Sequence, residues 1–284
     1  MDRLLKVASW NMDYWRRRAP TSQAKAWQYL DSELGADIAL LQEAKAPEGR
    51  RVIHGRHELY KGHGWTSLVA TGLPAKAVRT ARARQSSRPA RLHRTHPGCL
   101  AVAEVKLPGG RPLVAISVYG KIDDGYAQTT MHGLLNDLVP LFDESGSRRD
   151  RWLVMGGDLN VSTQLPAPYG PWSQSVFDRI EAFGLVNLTE KAVRVHPERR
   201  MSDCPCGDSD CAHVQTATHR TGSRYQNDYL FASAALADRF EDCYVVGAGA
   251  SFPTTGRSLR SSRSRGSKVQ ARGDCPAQRS WRRK

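Results

Sequence analysis

The apolar residues of this chain fall in short blocks broken by polar turns, and the spacing within each block indicates its element. Residues 4–12 (LLKVASWNM) form a run rich in β-formers that ends in polar residues, predicting a buried strand. A helix is expected over 21–34, with Thr21 as N-cap, Trp27, Leu30 and Leu34 on one face and Gly35 as its stop. Residues 37–42 (DIALLQ) read as a second buried strand with Glu43 at its carboxyl end, and 65–71, 99–106 and 112–119 as three more. Met131, Leu134, Leu135, Leu138, Leu141 and Phe142 recur at helical spacing within 126–142. Residues 152–157 (WLVMGG) predict a strand that delivers Asp158 and Asn160. A helix over 172–183, a strand at 228–232, a short helix at 234–240 and a last strand at 243–248 follow. Several strands run consecutively with no room for a helical crossover, which favours a mixed-sheet α/β sandwich over a singly wound parallel sheet.

Three of these strands end in polar groups: Asn11, Glu43, and the pair Asp158 and Asn160. Side chains at strand carboxyl ends converge on a shared crevice, so groups distant in sequence can meet there. Asn11, Glu43, Asp158 and Asn160 are hard oxygen ligands or hydrogen-bonding groups, the set suited to Mg²⁺ or Mn²⁺. Gly156 and Gly157, just before Asp158, would let the backbone approach closely. For one carboxylate alone, a turn-forming role is the simpler explanation.

Taken in order, SWN at 9–11, LQE at 41–43, VYGK at 118–121, GGDLN at 156–160 and NDYLFAS at 227–233 resemble the endonuclease/exonuclease/phosphatase superfamily, which includes the apurinic/apyrimidinic endonucleases. The resemblance implies a four-layer α/β sandwich, two mixed sheets face to face with helices outside, and a catalytic domain over 1–252. It implies a divalent-metal-dependent phosphoesterase, most plausibly a nuclease acting on phosphodiester bonds. By that likeness Glu43 is the principal metal ligand with Asn11 beside it, and Tyr119 contacts the phosphate. Asp158 activates water, Asn160 orients Asp158 and the phosphate, and Asp228 matches a carboxylate that holds a catalytic histidine.

One part of the pattern is missing. The superfamily closes with Ser-Asp-His before a last strand, whereas none of the nine histidines here follows His219. After residue 252 the chain turns Arg/Ser-rich, and the 253–284 tail is expected to be disordered. Replacement of a native C-terminus explains this better than a genuine nucleic-acid-binding extension, because a sheet lacking its last strand exposes an edge. The loss would impair activity. The alternatives are a catalytically silent nucleic-acid-binding protein on the same fold, and a small-molecule phosphodiesterase or phosphatase.

Cys204, Cys206, Cys211 and His213 stand in a Cys-x-Cys-x4-Cys-x-His pattern, with Pro205 and Gly207 to shape a knuckle. Three cysteines and a histidine form a closed set for structural Zn²⁺, so 203–219 is expected to be a zinc-knuckle insertion, with His219 as an alternate ligand. Cys99 and Cys243 lie in apolar runs and are expected in the core, and Cys275 is expected to be exposed.

The net charge of +14 qualifies this picture only locally. Residues 76–94 carry seven Lys/Arg and no acid, and 257–284 carry ten against Asp274 alone, leaving the rest nearly neutral. Arg79, Arg82 and Arg84 in the first run are candidate phosphate contacts, with Trp65 upstream as a stacking residue. Nucleic acid is therefore the expected partner, a phosphorylated small molecule the other, and no membrane. A monomer is expected. The N-terminus has no secretory pattern, so a cytoplasmic protein with reduced thiols is expected.

Overall fold

The apolar runs become strands because β-branched and aliphatic side chains can be buried on both faces of a pleated sheet. The computed structural model describes residues 4–14, 19–54, 67–78, 95–123, 127–143, 152–218 and 222–246. Trp65, Arg79, Arg82, Arg84, His219, Cys275 and the whole 253–284 tail lie outside the described residues. In chain order the strands and helices are β1 (Val7–Asn11), α1 (Pro20–Tyr29), β2 (Ile38–Gln42), β3 (Val52–His54), β4 (Leu68–Thr71), β5 (Ala75–Ala77), β6 (Leu100–Lys106) and β7 (Pro112–Tyr119). Then come α2 (Gln128–Asp143), β8 (Trp152–Asp158), α3 (Tyr169–Ala182), β9 (Leu185–Asn187), α4 (Leu188–Val195), β10 (Ala217–Thr218), β11 (Arg224–Tyr225), β12 (Asp228–Ser233) and α5 (Ala234–Ala237).

The strands form a four-stranded sheet in the order β1-β2-β4-β3 and a six-stranded sheet in the order β5-β6-β7-β8-β12-β9, beside the small β10-β11 pair. Both large sheets are mixed: β1-β2 and β7-β8 are parallel, and their other pairings antiparallel. Side-chain alternation builds the layers. Leu100, Val102, Val114, Ile116 and Val118 face α2 and α3, where Met131, Leu134, Leu135, Leu138, Val176 and Ile180 cover them. Ala101, Ala103, Val105, Leu113 and Ala115 face the other way, against Ile38, Leu40 and Val69 of the four-stranded sheet. The outer side of that sheet, including Ala39, Leu41, Leu68 and Ala70, is covered by Trp27 and Leu30. The result is helix, sheet, sheet, helix, the expected four-layer sandwich.

Local details depart from expectation at a few points. The first helix starts after Ala19, with Pro20 at its first position and Thr21 already inside. Proline is favoured there because its φ is preset for a helix and no N–H is needed. The helix continues through a π-turn at Leu30–Leu34 and stops at Gly35, whose φ is +56° and whose N–H donates to Leu30 O at 3.1 Å. The strand expected at 243–248 does not form over 243–246, and Tyr244 is 66% exposed. The edge next to β12 is taken by β9 instead. Cys243 is accordingly half-buried outside any strand, with its carbonyl accepting from Arg199 Nη1 at 3.0 Å. Cys99 is buried, as expected.

Candidate active site

Strand register brings the polar strand ends together. In the four-stranded sheet Asn11 lies opposite Gln42, so Glu43 stands one step beyond Asn11. Glu43 has φ +44°, a left-handed turn held by bonds from Met12 N to Gln42 O (2.8 Å) and from Tyr14 N to Glu43 O (3.0 Å). In the six-stranded sheet Tyr119 pairs with Asp158, and Asp228 lies directly across from Asp158 on the other side. Backbones approach very closely here. A Cβ on Gly157 would lie 1.7 Å from Val118 O, and one on Gly120 would lie 1.8 Å from Leu159 O. The need for a glycine before Asp158 is therefore steric.

The two sheets are joined just beneath these groups. Gln42 Nε2 donates to Ser117 Oγ at 2.9 Å, and Ser117 Oγ donates to Leu41 O at 2.9 Å, both residues being fully buried. This link was not anticipated from sequence, although a glutamine and a serine inside otherwise apolar strands were visible signals. Above it, Asn11 Nδ2 donates both to Asp158 Oδ2 at 2.8 Å and to Glu43 Oε1 at 3.1 Å. The Tyr119 hydroxyl also donates to Glu43 Oε1, at 2.9 Å. Asn160, with φ +50°, donates its backbone N–H to Asp158 Oδ1 at 3.2 Å. Asn11 Oδ1 accepts from Asp13 N at 2.9 Å, which sets the orientation of its amide. A small cleft lined by Met12, Tyr14, Gln23, Trp27, Glu43 and Lys45 opens alongside.

Burial governs the electrostatics. It pushes the Glu43 carboxyl up to about 7, against the lowering effect of the Asn11 and Tyr119 bonds and with a further push from Asp158. Burial also raises Asp158, and the facing Asp228 raises it further. Asp228 is raised by burial and lowered in part by a bond with Thr216. Burial and the adjacent carboxylates keep Tyr119 a protonated phenol. Among the described residues, neither Glu43 nor Asp158 forms an ion pair with Lys, Arg or His. Carboxylates gathered in this way need protons or a cation. The carboxylate oxygens of Glu43 and Asp158 fit a hard divalent cation, while the Asn11 amide turns its Nδ2 rather than its Oδ1 toward them.

The described histidines lie elsewhere in the hydrogen-bond network. His132 Nε2 meets Ser175 Oγ at 3.1 Å, His196 pairs with Glu198, and none hydrogen-bonds to Asp158 or Asp228. Asp228 instead uses Thr216, whose Oγ1 accepts from Asp228 N at 3.0 Å and from Asn227 N at 2.9 Å. Cys204, Cys206, Cys211 and His213 come together separately, with potential ligand atoms all within 4.8 Å of one another. This group could hold a metal without His219.

No protein-family model and no curated protein matches the sequence. Solved structures do match the fold. An AP endonuclease from Archaeoglobus fulgidus aligns with a TM-score of 0.56 at 17% identity, covering 87% of this chain and 93% of that one. The endonuclease domain of a telomere-specific non-LTR retrotransposon aligns with a TM-score of 0.54 at 18% identity, covering 83% and 88%. AP endonuclease LMAP from Leishmania major aligns with a TM-score of 0.53 at 14% identity, covering 84% and 81%.

The chain has the endonuclease/exonuclease/phosphatase fold.

On this endonuclease/exonuclease/phosphatase fold, Asn11, Glu43, Tyr119, Asp158, Asn160 and Asp228 form one group where the two sheets meet. Tyr119 is seen bonded to Glu43, a role that the motif alone did not indicate. Thr216 is a further addition, since nothing in its sequence context marked it.

Proposed function

We propose that this chain is a divalent-metal-dependent phosphodiester hydrolase acting on nucleic acid. The observation that carries the reading is the single Asn11 amide donating to both the half-buried Glu43 and the buried Asp158, carboxylates from different sheets that lack a described cationic partner. Glu43 would hold Mg²⁺ or Mn²⁺, and Asn11 would join it through Oδ1 only after its amide turns over from the orientation seen here. Such an ion, when bound, neutralises phosphate charge and polarises a phosphoryl oxygen.

The protein groups divide the remaining work. Asp158 accepts the proton of the attacking water, and its raised proton affinity suits a general base near neutral pH. Asn160 fixes the orientation of Asp158 through its backbone N–H. Tyr119 holds Glu43 through its hydroxyl, a contact that a phosphate oxygen could replace. Asp228 adds negative charge next to Asp158 and strengthens its proton affinity. Arg79, Arg82 and Arg84 would contact backbone phosphates. The names of the similar solved structures, two AP endonucleases and a retrotransposon endonuclease domain, put nucleic acid ahead of small phosphodiesters.

The test is a substrate panel: plasmid, duplex containing an abasic site, single strands and a simple phosphodiester, each with Mg²⁺, Mn²⁺ or chelator. Cation-dependent cleavage of a nucleic acid, lost in Asp158→Asn, supports the reading. Salt-dependent binding without cleavage by folded, cation-loaded protein would replace it with the silent nucleic-acid-binding alternative.

A further inference from the structure

The cysteine loop has a connection to the carboxylate group that the spacing of its ligands does not show. His213 Nε2 lies 2.9 Å from Thr163 Oγ1, and Nδ1 of the same ring lies 3.4 Å from Cys204 Sγ. With Nε2–H donating to Thr163, Nδ1 presents its lone pair to the sulfurs, as a metal-binding imidazole should. Cys204 Sγ also accepts from Gln164 Nε2 at 3.1 Å. Gln164 Oε1 in turn accepts from Gln226 N at 2.6 Å, Gln226 Oε1 accepts from Val214 N at 3.0 Å, and Gln226 Nε2 donates to Asp228 O at 3.3 Å. Thr163 and Gln164 follow Asp158 and Asn160, while Gln226 lies two residues before Asp228, the first residue of β12.

We propose that Cys204, Cys206, Cys211 and His213 hold a structural Zn²⁺ that fastens the turn after Asp158 to the segment leading into Asp228. The donor set is closed, three thiolates and one imidazole, with no position left for water. Tetrahedral donors about 2.3 Å from zinc stand roughly 3.5–4 Å apart, and the four atoms here are already grouped within 4.8 Å. The loop is shaped for this grouping. Gly207 has φ +72° and donates its N–H to Cys204 O at 3.2 Å, turning the chain between the second and third cysteines. Cys204 and Cys206 are 3.2 Å apart at sulfur, well beyond the roughly 2.05 Å of a disulfide. Gln164 and Thr163 supply the outer hydrogen bonds that orient two of the ligands.

The experiment uses full-length protein purified without chelator. One zinc per chain is expected, retained in Cys243→Ser and lost in Cys206→Ser and His213→Ala. Replacement by Co²⁺ should give intense thiolate-to-cobalt charge-transfer absorption and tetrahedral visible bands in the unmutated chain, a readout that does not depend on the variants folding. Hydrogen exchange should then rise at 159–164 and 214–228 on zinc removal, while β6 and β7 stay protected. Folded protein with less than about half an equivalent of zinc, or a cobalt spectrum without thiolate bands, overturns the site. Unchanged exchange at 159–164 overturns the fastening. None of these readouts requires hydrolysis, so they stand apart from the fate of the proposed activity.

Discussion

Asn11 is the residue on which the candidate site turns. Its amide donates to two carboxylates that would otherwise face each other across the sheets, so its loss and theirs should act in opposite directions. Without divalent cations, Asn11→Ala leaves both carboxylates short of a donor and should lower stability by about 2 kcal/mol. Glu43→Gln removes buried charge and keeps an acceptor for Asn11 and Tyr119. It should raise the thermal midpoint of cation-free protein by about 2–4 °C, the shift that ~1 kcal/mol produces in a chain of this size. The sign with pH follows from the same group. Its folded pKa is raised from 4.5 to about 7, so its contribution to stability is fully present below 4.5 and is lost as pH rises through 7. Melting curves of chelated protein from pH 5 to 8 should fall with pH, and less so in Glu43→Gln. Glu43 and Asp158 were legible as residues because each closes an apolar run, and Asp228 because it opens one. The Asp228 partners Thr216 and Gln226 were not, since both sit in polar segments where nothing distinguishes them from ordinary loop residues.

Elements position these side chains through close backbone contact. Gly157 lets β8 run against β7 at the point where Tyr119 and Asp158 come into register. Gly157→Ala should cost about 3 kcal/mol or more, because the Cβ would meet the Val118 carbonyl rather than a movable side-chain end. Denaturant unfolding would measure this directly. Long elements were readable from sequence because burial imposes a pattern: α2 shows its six apolar positions and β7 an apolar run interrupted only by Ser117. The three-residue strands β3, β5 and β9 were not, since each is too short for a period and exists through its pairing with a longer neighbour. The apolar stretch from Cys243 failed in the opposite way. It has strand-like composition, but β9 already occupies the edge beside β12.

At the scale of the molecule, two stacked sheets make a site from residues 147 apart in sequence, as the Asn11–Asp158 bond shows. The four-layer arrangement was legible from the order of the motifs, whereas the Gln42–Ser117 link between the sheets needs their relative placement. Among the described residues no helix is long and apolar enough to cross a membrane. The basic residues are concentrated in two stretches of an otherwise nearly neutral chain. Replacing Arg79, Arg82 and Arg84 with Ala should weaken duplex binding across sequences and flatten its log–log salt slope by about 0.9 for each phosphate contact removed. An unchanged slope would assign the binding to other groups.

The proposed activity is cation-dependent phosphodiester hydrolysis by Glu43 and Asp158. It is tested most directly by single-turnover cleavage of a labelled nucleic acid across a Mg²⁺ titration, comparing the unmutated chain with Glu43→Gln and Asp158→Asn. Cleavage should saturate with Mg²⁺, need more Mg²⁺ in Glu43→Gln, and slow by about 10²-fold or more in Asp158→Asn at saturating Mg²⁺. Cleavage that proceeds equally well in both folded variants would contradict it.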